Sequence, residues 1–203
     1  MSFLLLFSTS DTVMGVSVDP NPRKYFFLPV NEDWQRRVAG LFGRVKPKLN
    51  LYGEADTAIE MQHRCPPRDG LKNVYGDGAC LPRVMSLVIY GEQKHHDRLR
   101  QAVVDFLLKG PLPGDSSPRD ASFYERMTEM RKKKTWMTTQ EIRGFAYLLD
   151  TPIFTCVHSK NREGRETYFW QRVPHESLQE NVRNTRGIYI LNKQSHFQLI
   201  TKP

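Results

Sequence analysis

The sequence contains few cysteines and no long apolar segment, and both shortages limit what the chain can be. Its three cysteines, Cys65, Cys80 and Cys156, are too few, too scattered and odd in number for a disulfide framework. We therefore expect a reducing compartment, the cytoplasm or alternatively the nucleus. No segment approaches the roughly 18 consecutive apolar residues of a membrane-spanning helix. No Lys or Arg precedes the short apolar run at 3–7, so we expect neither a secretory signal nor a membrane partner.

Spacing typical of metal ligands is equally scarce. His63 and Cys65 lie two residues apart, but no second pair at zinc-finger spacing follows them. We therefore expect no bound metal and no cofactor. Cys65 and Cys156 are interpreted as residues without a chemical role.

Acidic residues are outnumbered by basic ones, and the net charge at pH 7 is +8. Basic surfaces bind nucleic acids, acidic membranes or acidic proteins. The densest basic run, at 131–134, follows a predicted helix, where cations also suit the helix dipole. No aromatic-interleaved pattern typical of nucleic-acid binding accompanies it. We interpret the run as a solvated helix end and keep nucleic acid as a less favoured partner.

The apolar periodicity predicts helices first and strands later. The predicted helices are 32–41 with Asn31 as cap, 80–90 ending at Gly91, about 96–109, a segment around 123–130, and a last one to Leu149 that Thr138 and Glu141 open as a capping box. The predicted strands are 153–157, 167–172, 188–191 and 196–201, with a hairpin connection at 192–195. This order predicts an α+β domain in which helices flank a small central β-sheet. We expect 71–203 to form this domain and 1–70 to be an N-terminal extension packed on it.

A glycine-rich turn places a cysteine at the start of an apolar helix. The turn contains Gly76, Asp77 and Gly78, and Cys80 follows them. A thiol at a helix N-terminus meets the positive end of the helix dipole, which favours the nucleophilic thiolate. Far downstream, His196 lies in the last predicted strand. A cysteine and a distant histidine that meet only after folding are typical of Cys-His hydrolases.

Three blocks in this order resemble the ovarian tumour (OTU) family of papain-like cysteine proteases, which are mostly deubiquitinases. The family's pattern is Asp-Gly-x-Cys at the head of a helix, then a Trp shortly before a helix that leads into a core strand, then a C-terminal His followed by an aromatic residue. The resemblance covers 73–200, and its matching residues are Asp77, Gly78, Cys80, Leu81, Arg83, Trp136, Ser195, His196 and Phe197.

The resemblance implies a papain-like OTU fold and a deubiquitinating activity. Cys80 would attack the carbonyl of the C-terminal glycine of ubiquitin or a ubiquitin-like protein, with His196 as its base. Asp77 would organise the oxyanion loop or orient the histidine. Gln198 occupies the family's third catalytic position, where its amide oxygen would accept the imidazole N–H. Asn192 and Gln194 are the alternatives for this acceptor.

The sequence departs from the family pattern at three positions. Ala79 replaces the usual Asn, Pro82 replaces an aromatic residue, and Gln198 replaces Asp or Asn. Because proline disfavours a helical conformation at the preceding residue, Leu81 is predicted to cap the helix, which would then start one residue late. The alternative function is a catalytically weak or inactive OTU-like module that binds ubiquitin or nucleic acid. Trp136 is expected in the core, near the site.

Overall fold

A computed structural model describes residues 17–19, 26–43, 46–48, 51–52, 57–61, 66–116, 119–160, 163–173 and 185–203. The helices in these ranges are α1 (Glu32–Leu41), α2 (Cys80–Tyr90), α3 (His96–Lys109), α4 (Ala121–Arg131) and α5 (Thr139–Leu148). The strands are β1 (Ser17–Asp19), β2 (Phe26–Phe27), β3 (Ile59–Glu60), β4 (Leu71–Lys72), β5 (Ile153–Lys160), β6 (Glu166–Val173), β7 (Ile188–Lys193) and β8 (His196–Ile200). The apolar run at 3–7, His63 and Cys65 lie outside the described residues.

The described strands form one mixed sheet and one separate two-stranded sheet. The sheet has the order β1-β6-β5-β7-β8-β4, and β2 pairs with β3 separately. Strand β5 pairs in parallel with β7, and every other pair in the sheet is antiparallel. The predicted α+β class is therefore confirmed, although the short strands β1 to β4 precede most of the helices.

Each face of the sheet has its own apolar cluster. The larger cluster joins the helices to the sheet through buried residues that include Val84, Val88, Phe145 and Ile190. The smaller cluster, on Phe154, Cys156, Trp170, Tyr189 and Leu191, packs against Phe27 of β2. Because residues of α2 and β8 are buried in these clusters, packing holds both elements in place.

The predicted helix caps are present. The Asn31 side chain accepts a hydrogen bond from Trp34 N at 3.0 Å, and Thr138 and Glu141 form the capping box of α5. Helix α2 ends at Gly91, whose φ of 73° is left-handed and favours glycine. Because caps and apolar stripes act locally, the boundaries of these helices follow the sequence closely.

The predicted late start of the helix at Cys80 is wrong. Helix α2 begins at Cys80, and its first backbone hydrogen bond runs from Arg83 N to Ala79 O at 2.9 Å. Pro82 is then the third helical residue, whose N–H would have no intrahelical partner anyway. The proline costs no hydrogen bond there, and Cys80 keeps its place at the helix N-terminus.

Residues ahead of position 71 contact the rest of the chain at several places, and α1 is one of them. Trp34 Nε1 donates to Thr151 Oγ1 at 2.7 Å, and Gln35 Nε2 donates to the Val88 carbonyl at 2.6 Å. The division into an extension at 1–70 and a domain at 71–203 stays a prediction. None of the described helices is long and apolar enough to cross a membrane.

Candidate active site

A cleft brings together residues that lie far apart in the sequence. Cys80, the first residue of α2, is 6% exposed, and its Sγ lies 3.9 Å from the carbonyl oxygen of Ser195. The residues that line the cleft are Gly76, Gly78, Cys80, Trp136, Ser195 and His196. The predicted nucleophile and the predicted base therefore face the same space.

A tight hairpin between β7 and β8 positions His196 at the cleft. Strands β7 and β8 are antiparallel, with Lys193 paired to His196, so Gln194 and Ser195 form a two-residue turn. Both turn residues have positive φ, 51° and 63°, as a type I′ turn requires. The turn directs the Ser195 carbonyl towards Cys80 and starts β8 at His196.

Asn73 orients the imidazole. His196 Nε2 lies 3.0 Å from Asn73 Oδ1, and because an amide oxygen only accepts, Nε2 carries the proton. Nδ1 of the neutral ring is then the free base. A Cβ at position 76 would lie 3.8 Å from both Nδ1 and Cε1, so the Nδ1 edge faces the glycine wall of the cleft.

Gln198 supports Asn73 and does not accept from the imidazole. Its Nε2 donates to the same Asn73 Oδ1 at 3.2 Å. From the other side, Gln93 Nε2 donates to the Asn73 carbonyl at 3.3 Å, and Gln93 Oε1 accepts from Tyr75 N at 3.2 Å. These contacts correct the prediction that the Gln198 oxygen accepts the imidazole N–H, because Asn73 occupies that position.

Asn73 was not among the residues predicted from the sequence. The residue directly follows β4, whose Lys72 pairs with Leu199, so the next residue along reaches Gln198. A two-residue strand leaves no alternating apolar pattern that could have predicted this pairing. Among the described residues, Asn192 and Gln194 form no hydrogen bond with His196.

Asp77 holds the turn before Cys80 in place. Its Oδ1 accepts from Ala79 N at 3.1 Å, and its two oxygens pair with Arg83 Nε and Nη2 at 3.1 and 2.6 Å. The hydrogen bonds from Arg83 lower the pKa of Asp77 to about 2, against the opposing effect of partial burial. Of the two roles expected for Asp77, the loop contact is present, and the described residues show no Asp77–His196 contact.

The backbone of the turn leaves hydrogen-bond donors free next to the thiol. Gly78 has a φ of 81°, and a Cβ there would overlap the backbone of Lys134, so this position requires glycine. Within the described residues, the N–H groups of Gly78 and Cys80 have no hydrogen-bond acceptor. Ala79, the helix N-cap, offers them no side-chain acceptor either. Free N–H groups at a helix N-terminus are suited to a developing negative charge.

The structure also shows where Trp136 and Cys156 lie relative to the cleft. Trp136 was expected in the core, but it is 55% exposed and forms a wall of the cleft, so that expectation is wrong. Cys156 is fully buried on β5 in the smaller apolar cluster, away from the cleft residues. No group of three or more metal-ligating side chains lies within the described ranges.

Solved OTU domains share this architecture. The viral OTU domain protease from Dera Ghazi Khan virus matches with a TM-score of 0.51 and 12% identity, over 77% of this chain and 94% of its own. The OTU domain of OTUD1 matches with a TM-score of 0.50 and 19% identity, over 65% of this chain and 85% of its own. The chain has an OTU-domain fold. No protein-family model and no curated protein matches the sequence.

The OTU fold explains why the cleft residues meet. It places the head of α2 beside the β7–β8 hairpin, so that Cys80 and His196 both line the cleft. The chemistry open to this arrangement is proton transfer from a thiol to an imidazole, followed by attack on a carbonyl next to unpaired N–H donors. At these sequence identities the likeness concerns the fold, and the chemistry rests on the cleft residues themselves.

Proposed function

We propose that the protein is a thiol-dependent deubiquitinase. It would hydrolyse the peptide or isopeptide bond after the C-terminal glycine of ubiquitin or a ubiquitin-like protein. The observation that carries this proposal is the cleft shared by Cys80 and His196, with the imidazole held by Asn73 through Nε2. The OTU fold and the three matching sequence blocks support the choice of substrate.

In the first half of the reaction, His196 Nδ1 takes the proton of the Cys80 thiol. The thiolate attacks the glycine carbonyl carbon, and the carbonyl oxygen becomes an oxyanion, to which the free N–H groups of Gly78 and Cys80 donate hydrogen bonds. The tetrahedral intermediate collapses when the C–N bond breaks. The imidazolium returns its proton to the leaving amine, and a thioester on Cys80 remains.

In the second half, water hydrolyses the thioester. His196 Nδ1 removes a proton from the water, the resulting hydroxide adds to the carbonyl carbon, and the C–S bond breaks. The imidazolium returns its proton to the thiolate, and the ubiquitin C-terminal carboxylic acid leaves and releases its remaining proton to solvent. Throughout both halves, Asn73 keeps the Nε2–H tautomer, which leaves Nδ1 free for proton transfer.

The nucleophile must stay a reduced thiol, and neither Cys80 nor Cys156 is joined in a disulfide. We therefore propose the same reducing compartment that the cysteine content suggested, the cytoplasm or the nucleus.

A ubiquitin carrying a C-terminal electrophile tests the proposal directly. We expect covalent capture by the wild-type protein, no capture by Cys80→Ala or His196→Ala, and full capture by Cys156→Ala, which removes a buried thiol outside the cleft. Mass spectrometry of the adduct locates the modified residue. Ubiquitin binding without capture by the wild-type protein would contradict the enzyme and favour the inactive binding module.

A further inference from the structure

Arg100 is a buried charge that the proposed mechanism does not use. Of the described side chains that are fully excluded from solvent, it is the largest, and it lies on α3 within the helical core. None of the described carboxylates forms an ion pair with it. Burial accordingly lowers its pKa from the ordinary arginine value. A buried cation without a carboxylate partner is costly, so its hydrogen bonds identify what it stabilises.

The guanidinium bonds two backbone carbonyls, one in the cleft wall and one at the end of α4. Arg100 Nη2 donates to Gly78 O at 3.1 Å, in the turn before the nucleophile. Arg100 Nη1 donates to Met130 O at 2.9 Å, in the last turn of α4. Trp136, which lines the cleft, lies six residues further along the chain. One side chain therefore ties the oxyanion loop, 76–80, to the segment that carries Trp136.

These bonds fix the orientation of one peptide group. In a trans peptide the C=O and the following N–H point in opposite directions. The Gly78 carbonyl is held by Arg100, and the N–H of the same peptide, on Ala79, is held by Asp77 Oδ1. Because the C=O and the N–H of this peptide are both hydrogen-bonded, a flip of the peptide would break two hydrogen bonds. The free N–H groups on either side of it, on Gly78 and Cys80, are then held in one arrangement.

A backbone contact strengthens the same connection. A Cβ at position 78 would overlap the carbonyl of Lys134, so the oxyanion loop lies directly against the turn that follows α4. Lys134 itself has a φ of 72°, a left-handed conformation that is uncommon for residues other than glycine. The loop and the turn therefore contact each other at Gly78 and are bridged by Arg100.

We propose, on the basis of the proposed protease function, that Arg100 is a positioning residue for the oxyanion hole. It holds the Gly78–Ala79 peptide with its carbonyl turned away from the cleft, and it sets the distance between the oxyanion loop and the Trp136 wall. Arg100 does not touch the substrate. Its contribution is to acyl transfer, through the fixed N–H groups, and not to the nucleophilicity of the thiol.

Two reactions of Cys80 separate these effects. Attack on a ubiquitin C-terminal amide builds an oxyanion, whereas alkylation by iodoacetamide does not. In Arg100→Met we expect kcat for the amide to fall by about 10- to 100-fold. We expect the plateau of the alkylation rate against pH to stay within about 2-fold of wild type, since displacement at carbon needs no oxyanion donor. Arg100→Lys, which keeps a charged donor, should recover part of kcat.

Hydrogen–deuterium exchange tests the same inference without any enzymatic activity. We expect amide exchange in 76–80 and 132–136 to accelerate by about tenfold or more in Arg100→Met. The matched control is Arg143→Met, which removes a second buried arginine, bonded to Asp115 and the Pro113 carbonyl. Its exchange should change around 113–115 and not in the oxyanion loop. If Arg100→Met does not fold, Arg100→Gln takes its place in both experiments.

The inference is overturned by unchanged exchange in the oxyanion loop, by equal losses of acylation and plateau alkylation, or by an unchanged kcat. A shift of the alkylation pH profile with a parallel loss of kcat would also contradict it, because it would assign Arg100 to the thiolate. If the wild-type protein neither hydrolyses ubiquitin amides nor reacts with the electrophile, the proposed function fails. The exchange experiment then still decides whether Arg100 orders the loop.

Discussion

At the scale of single residues, the acceptor for the imidazole N–H decides how His196 works. An asparagine oxygen fixes the tautomer without supplying a full charge to the imidazolium. Asn73 is itself held by Gln198 from β8 and by Gln93 from the segment that follows α2. The histidine therefore depends on an asparagine that two other segments of the chain hold in place.

This arrangement predicts unequal effects for two substitutions. Asn73→Ala removes the acceptor of His196 Nε2–H, and we expect kcat/KM for a fluorogenic ubiquitin amide to fall by about 10- to 100-fold. Gln198→Ala leaves Asn73 still bonded to Gln93, and we expect a loss of less than about 10-fold. Steady-state kinetics on both variants measures the difference.

The control is Asn73→Asp, which keeps an oxygen acceptor and adds a charge that stabilises imidazolium, so activity should be retained. A loss in Gln198→Ala that equals or exceeds that in Asn73→Ala would contradict the assignment and return the third role to Gln198.

At the scale of elements, the oxyanion loop and the first turn of α2 are held by the ion pair of Asp77 with Arg83. The Arg83 side chain is 13% exposed and that of Asp77 is 34% exposed. The guanidinium also lies 5.2 Å from the centre of the Tyr75 ring, which keeps it over the loop. A partly shielded bidentate pair of this kind contributes more than an ordinary surface ion pair.

The ion pair makes stability depend on pH. We expect Asp77→Asn to lower the free energy of unfolding by about 1 kcal/mol at pH 7, after allowance for solvent screening. The folded pKa of Asp77 is about 2, below its unfolded value, so its contribution is complete above the unfolded pKa and is lost as pH falls through the folded one. The difference between wild type and variant should therefore be constant above about pH 4 and disappear towards pH 2.

Urea titrations at a series of pH values measure this difference. Asp105→Asn is the matched control, because it breaks an exposed pair with Arg131 on the helical surface. We expect it to change stability by less than about 0.5 kcal/mol. A difference for Asp77→Asn that grows as the solution is acidified from pH 4 to pH 2 would contradict the prediction.

The elements also show why some features were predictable and others were not. Helix α5 was predictable because its capping box and apolar stripe are local in sequence. Cys80 and His196 were recognised by residue type and order. Asn73 was missed because it meets His196 across 123 positions, through a two-residue strand without any apolar pattern. Trp136 was misplaced because apolar size alone does not distinguish a core residue from a cleft wall.

At the scale of the whole molecule, the net charge of +8 is the property that most favours a nucleic-acid partner. The basic run at 131–134 does not present its charges freely, because its first three members have acidic partners. Arg131 pairs with Asp105, Lys132 with Glu129 and Lys133 with Asp97. The run therefore lies among acidic side chains, which oppose the approach of a phosphate backbone.

This distribution of charge predicts weak binding of nucleic acids that does not depend on the run. We expect the dissociation constant for duplex DNA or RNA at physiological salt to be no tighter than about 10⁻⁴ M, the weak end of non-specific binding. Replacing the lysines at 132, 133 and 134 by alanine should change it by less than about 2-fold, since two of them already have acidic partners. Gel shifts at 50 and 200 mM salt measure both quantities, with ubiquitin capture as the control for folding. Micromolar binding with a steep salt dependence that the triple substitution abolishes would contradict the prediction, because it would show that phosphates displace the acidic partners of the run.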